Sequence, residues 1–190
     1  MPYAPPSPKI AKWLRATTEP LADYGVFKVV RYGMRDGAGT ARRPVHCFEC
    51  PDWCNVIART TTGDIVMIWQ YRFGTDSLTL EVPGGVIDPH EEPIVAARRE
   101  LREESGYDAE RFELLSVVEP NPALQGNRCY TFMAHDAKLV HDTAFDDLEE
   151  CETVLVPEAH LGDLLDSGAV THALVVSALE TYARRRPASR

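Results

Sequence analysis

No stretch of this chain approaches the roughly 18 consecutive apolar residues that cross a membrane, so no spanning helix is expected. Basic residues are also short: 20 Lys and Arg stand against 29 Asp and Glu, and a formal charge of −9 argues against the basic stripe that grips a phosphate backbone. Neither nucleic acid nor membrane is therefore an expected partner. The basic-then-apolar opening of a secretory signal is missing too; Met1 to Pro8 carries four prolines instead, and the chain reads as cytoplasmic. There is no internal repeat and no linker long enough to separate independent domains.

Five cysteines make no paired framework, and free thiols are expected. Cys47, Cys50 and Cys54 sit beside His46, but a zinc ribbon wants a second, similarly spaced pair, and there is none. They read as small buried hydrophobes on adjacent strands. The six histidines share no ligand spacing and read as surface or internally satisfied residues. What is present is an ordinary globular composition, 44% apolar and 26% charged. At 190 residues such a chain buries enough surface to fold without a staple, so a bound metal would serve chemistry rather than folding.

Periodicity and turn chemistry divide the chain. Residues 1–20 read as a proline-rich arm with a helix-like piece at Ile10–Arg15. Alternation from Val26 to Met34, a turn at Asp36–Gly39 and an extended run from Pro44 to Cys50 predict a β-hairpin. Strands are expected at Trp53–Arg59, Asp64–Tyr71, Leu78–Val82, Phe112–Glu119, Arg128–Ala134 and Glu152–Val156. A helix is predicted over Glu92–Ser105, between Pro93 and the stop at Gly106, and two more over Ala159–Leu165 and Val170–Arg184.

On the first of these helices Glu100, Glu103 and Glu104 fall on one face, because spacings of 3 and 4 return to the same side. Three carboxylates near a helix C-terminus repel one another and oppose the helix dipole. Either the patch is a solvated acidic face paired with Arg98, Arg99 and Arg102, or it holds a hard divalent cation such as Mg2+.

The flanking residues add a pattern. Gly85, five residues, Glu91, seven residues, then Arg99-Glu100-Leu101-x-Glu103-Glu104-x-Gly106-Tyr107 resembles the Nudix box at every fixed position, with Tyr107 where an aliphatic residue is usual. Gln70-Tyr71-Arg72 followed by Glu81-Val82-Pro83-Gly84-Gly85 resembles the ADP-ribose and nucleoside-diphosphate-sugar pyrophosphatase branch of the Nudix hydrolase superfamily. The resemblance implies an α/β/α sandwich with a mixed sheet, preceded by an N-terminal β-hairpin. Residues 1–50 would then be an arm and hairpin that dimerise, often by exchange between subunits, and 51–190 the hydrolase domain.

The same resemblance implies site roles. Glu100, Glu103, Glu104 and the Gly84 carbonyl match metal ligands, with Mg2+ the implied ion and Mn2+ its alternative. Arg99 matches the arginine that orients the acidic cluster. Arg72 matches a residue near the phosphates, and Glu81 one that assists metal or substrate. A general base is expected either in the box, at Glu103 or Glu104, or in the acidic loop 146–152, at Glu149 or Glu150. Tyr24 and Phe27 are candidates to stack a base, as are Tyr32 and Phe73, unless they are core; Asn127 closes a polar loop expected near the site.

The implied reaction is Mg2+-dependent hydrolysis of a nucleoside-diphosphate sugar, such as ADP-ribose, ADP-glucose or GDP-mannose, to a nucleoside monophosphate and a sugar phosphate. The alternatives are a nucleoside triphosphate, dinucleoside polyphosphate or coenzyme substrate, and a sensing module without catalysis.

Overall fold

The computed structural model describes residues 3–141 and 150–185. The chain forms two compact units. The first holds the residues up to Cys50 together with Asn121–Gly126, a loop that the sequence reading places in the later domain.

In the first unit, β1 (Leu14–Asp23), β2 (Lys28–Arg35) and β3 (Ala41–Glu49) make an antiparallel sheet in that order. The expected helix-like piece at Ile10–Arg15 is absent, and the hairpin gains a third strand. Nothing at residues 10–23 repeats at 3.6, whereas Thr17 and Thr18 favour extended backbone, and Leu14 to Asp23 pair with Arg35 to Lys28. The β2–β3 turn is tied by Asp36, whose Oδ1 accepts from the Ala38 and Thr40 amides at 3.0 Å each. Phe27 packs between Tyr24 and Phe48, with ring centroids 5.3 Å apart in both pairs.

The second unit is built on a seven-stranded mixed sheet. Its strands are β4 (Trp53–Thr60), β5 (Asp64–Arg72), β6 (Ser77–Glu81), β7 (Tyr107–Asp108), β8 (Arg111–Val118), β9 (Cys129–Leu139) and β10 (Cys151–Pro157). The β4–β9 pair is parallel and the others are antiparallel. Side-chain alternation gives the sheet two dry faces: Ile57, Ile65 and Met67 point into one apolar cluster, and Val56, Ala58 and Val66 into the other. α1 (Pro93–Ser105) covers the second face through Ala96, Ala97 and Leu101. α2 (Leu161–Asp166) and α3 (Ala173–Arg185) cover the first through Leu161, Val175, Ala178 and Leu179. The result is an α/β/α sandwich with a mixed sheet.

α1 starts with Pro93 in its first turn and ends at Gly106, whose φ of 74° is left-handed and whose amide bonds the Arg102 carbonyl at 2.9 Å. α3 begins at Ala173, later than expected, because Val170 is spent in the core and the first helical bond runs from the Val176 amide to the His172 carbonyl. A 3-10 turn at Glu158–His160 takes the start of the other expected helix. All five cysteines are free. Burial pushes the Cys54 and Cys129 thiols up to about 12.

Candidate active site

The site forms where the sheet splits. β5 pairs with β4 only near Ala58–Val66 and Arg59–Ile65, then from Ile68 to Arg72 it pairs with β6 instead. The segment after β6 crosses the gap. Val56 and Cys54 amides on β4 bond the Pro83 and Gly85 carbonyls at 2.8 and 2.9 Å, which leaves the intervening Gly84 carbonyl outside that ladder. A Cβ at Gly84 would lie 2.2 Å from the Cys54 carbonyl oxygen, and one at Gly85 would lie 2.5 to 2.8 Å from the Glu100 carboxyl. Only backbone without side chains fits between β4 and α1 here.

α1 turns its acidic face to this loop. Glu104 is 2% exposed and accepts from the Gly84 amide at 2.8 Å; Glu100 is 8% exposed. Arg99 ties the cluster together. Its guanidinium donates to Glu91 at 3.0 and 3.2 Å, to Glu100 at 2.8 Å, to Glu103 at 3.1 Å and to the Val86 carbonyl at 3.0 Å. The Glu91 hydrogen bond is the largest influence raising the Arg99 pKa, and the same contact holds the Glu91 carboxyl below its usual range.

Across the loop, Arg72 forks onto Glu81 with both bonds at 2.8 Å, and Thr79 donates to the same carboxylate at 2.6 Å. Burial pushes the Glu81 pKa up, but the Arg72 and Thr79 bonds outweigh it and the group titrates below the usual carboxylate range. Glu81 is 2% exposed, whereas the Arg72 side chain is 40% exposed and keeps donors for a ligand. Both line a cleft of about 310 Å3 with Trp53, Asn55, Gly84 and His172.

A model of the NUDIX domain matches residues 52–178 of this sequence. The chain belongs to the Nudix family. A Bacillus subtilis ADP-ribose pyrophosphatase is 32% identical over 110 residues, 58% of each chain. The Escherichia coli ADP compounds hydrolase NudE is 33% identical over 115 residues, 60% of this chain and 61% of that protein. A Streptomyces rubellomurinus CMP-5'-(N-acetyl-N-hydroxy-3-aminopropyl)phosphonate hydrolase is 29% identical over 147 residues, 75% and 71% of the two chains. The crystal structure of an ADP compounds hydrolase superposes with a TM-score of 0.81 at 25% identity, covering 94% of this chain and 96% of that one.

The Nudix box residues fit a hard divalent cation. Glu100, Glu103 and Glu104 offer carboxylate oxygens, the donors such an ion prefers, from one face of α1. Among the described residues no three carboxylates converge in advance; Glu100 and Glu103 share Arg99, and Glu104 holds the loop.

Other expected residues lie elsewhere. Asn127 is buried and donates to the Pro51 carbonyl at 2.9 Å, so it belongs to the scaffold and does not line the cleft. Tyr24 and Phe27 stand in the aromatic cluster of the first unit. Glu149 lies outside the described residues. Glu150 is exposed at the head of β10 and lines a separate groove of about 450 Å3 with Trp69, Tyr71, Leu78 and Glu152. A cleft-lining residue that sequence reading passes over is His172. Nothing local marks it, because the packing of α3 against β4 brings it to the cleft.

Proposed function

We propose that this Nudix protein hydrolyses the diphosphate of a nucleoside-diphosphate sugar, with an ADP-linked sugar as first choice, releasing a nucleoside monophosphate and a sugar phosphate. The observation that carries the reading is the pair of buried carboxylates, Glu100 and Glu104, pressed onto the Gly84–Gly85 loop beside a guanidinium that faces the cleft. The names of the similar pyrophosphatase and ADP compounds hydrolase support the ADP moiety.

Glu100, Glu103, Glu104 and the Gly84 carbonyl would hold Mg2+, or Mn2+ in its place, which when bound neutralises phosphate charge and lowers the pKa of water. Arg72 presents its free donors to phosphoryl oxygens, while Glu81 fixes the plane of the fork. Arg99 keeps Glu100 and Glu103 oriented. Two carboxylates are offered as acceptors of the proton from the attacking water: Glu103, whose side chain is 45% exposed, and Glu150. We also propose a homodimer through the first unit, where exposed Trp13, just before β1, and Leu14 and Leu21 on it give apolar surface to bury. No helix among the described residues is long and apolar enough to cross a membrane. The free thiols accord with a cytoplasmic setting.

The test is product identification by mass spectrometry after incubating the protein and its Glu103→Gln variant with ADP-ribose, ADP-glucose, GDP-mannose and UDP-glucose in heavy-oxygen water with Mg2+. Monophosphate from one sugar nucleotide, lost in the variant, supports the reading, and the labelled fragment shows which phosphorus is attacked. No turnover of any of the four refutes it. Similarity to the Streptomyces phosphonate hydrolase favours a second reading, a cytidylate conjugate as substrate, so a CMP-linked compound joins the panel.

A further inference from the structure

His172 is a cleft residue that neither the acidic cluster nor the Arg72–Glu81 pair employs. It precedes α3 and is fixed from both sides: its carbonyl accepts the Val176 amide at 3.0 Å, and the carbonyl of Leu174 two residues on accepts from Asn55 Nδ2 at 3.3 Å. Asn55 lies on β4 and, like His172, lines the cleft with Arg72 and Glu81. The backbone that carries the imidazole is therefore held by two elements of the same unit.

Its two ring nitrogens differ. Nδ1 is buried and has no hydrogen-bond partner among the described residues. Nε2 is not among the buried unpartnered atoms, and since the ring lines the cleft, Nε2 is the nitrogen that reaches it. A buried N–H with no acceptor is rarer than a bare acceptor, so the tautomer inferred from this network carries its proton on Nε2. Burial also lowers the His172 pKa, opposed by the charge of Glu81 and reinforced by that of Arg72, which favours the neutral ring. What His172 presents to the cleft is an uncharged N–H donor carried on a fixed stretch of backbone.

We propose that His172 contacts the substrate, donating from Nε2–H to a phosphoryl oxygen of the bound diphosphate beside the Arg72 guanidinium; this rests on the hydrolase reading above. Arg72 and His172 line the same cleft, and an anionic oxygen is the acceptor that suits both donors. A second cation there would be drawn to Glu81; a neutral donor leaves the Arg72–Glu81 fork intact and still binds phosphate.

The test compares three variants. Leucine removes the donor, glutamine carries an amide N–H near the Nε2 position, and asparagine carries one near Nδ1. For His172→Leu we expect a loss of about ten- to a hundred-fold in kcat/KM on ADP-ribose, the range for a hydrogen bond to a charged group. His172→Gln is expected to recover most of that loss and His172→Asn little of it. Tm of the leucine variant should stay level or rise, because an orphaned buried nitrogen is removed. Calorimetric titration with ADP-ribose in the absence of metal should show the same order of affinities.

Native kcat/KM and affinity in His172→Leu would overturn the contact. So would a loss that follows a lowered Tm and is repaired by neither amide, since that marks a structural role. If the native protein hydrolyses none of the sugar nucleotides but binds ADP-ribose in a manner dependent on His172, the functional reading fails and the contact stands. If it neither hydrolyses nor binds, both fail.

Discussion

The two glycines of the cleft loop are adjacent in sequence yet should fail differently. Alanine at Gly84 sets its Cβ 2.2 Å from the Cys54 carbonyl oxygen and 2.9 Å from the Asn55 Cα, about 1 Å inside ordinary contact and against backbone that cannot rotate away. The loop must withdraw from β4. That strains two hydrogen bonds, Cys54 to Gly85 and Val56 to Pro83, each of net worth about 0.5–1.5 kcal/mol, on top of about 1–3 kcal/mol for overpacking. A loss near 3 kcal/mol lowers Tm by about 6–12 °C in a protein of this size. Alanine at Gly85 instead meets the tip of the Glu100 side chain, which can turn aside from Arg99. Gly85→Ala should stay within about 4 °C of native, since surrendering one partly buried contact costs about 1 kcal/mol, yet lose more than about ten-fold in kcat/KM because Glu100 is displaced. Thermal unfolding beside steady-state kinetics reads both. A Tm for Gly84→Ala within about 2 °C of native would refute the steric argument.

Arg99→Met leaves Glu91 and Glu100 without their counterion and should cost about 2–3 kcal/mol, discounted because Glu103 is half in water; Mg2+ should raise the Tm of this variant more than that of the native protein, and equal shifts would contradict the counterion role. Glu103→Gln relieves like-charge repulsion on α1, so its Tm should hold within a few degrees or rise while turnover falls; marked destabilisation would make Glu103 structural. Because the folded pKa of Glu81 lies below its unfolded value near 4.5, its share of stability is full above that pH and is lost as pH falls through the folded pKa. Glu81→Gln should therefore flatten the acid limb of the stability curve below about pH 4.5, and an unchanged limb would place the acid sensitivity elsewhere.

Most of the second unit is legible from periodicity because its elements are locally consistent. Pro93 and Gly106 punctuate α1, and the near-continuous apolar runs of β4 and β5 match a sheet covered on both sides. The carboxylate face of α1 follows from spacing alone. The first strand escapes such a reading because residues 10–23 carry little local signal and are extended by pairing with β2. Asn127 is a case the sequence leaves open, since a polar residue in a loop does not reveal that its amide bonds the Pro51 carbonyl. His172 is hidden for a tertiary reason, as its place depends on Asn55 holding the carbonyl of Leu174, 119 residues away.

The loop at the split sheet is not a connector in the usual sense. Loops ordinarily absorb insertions and drift in sequence because their backbone answers to water. The stretch from Pro83 to Ile87 answers rung by rung to strand β4 and the residue before it, through Val56, Cys54 and Asp52. An added or deleted residue there would shift the alignment of the sheet itself. Descendants of this chain that acquire a new ligand preference can therefore do so by exchanging side chains around the cleft, as at Trp53, Asn55 or His172, while the length of this segment stays fixed.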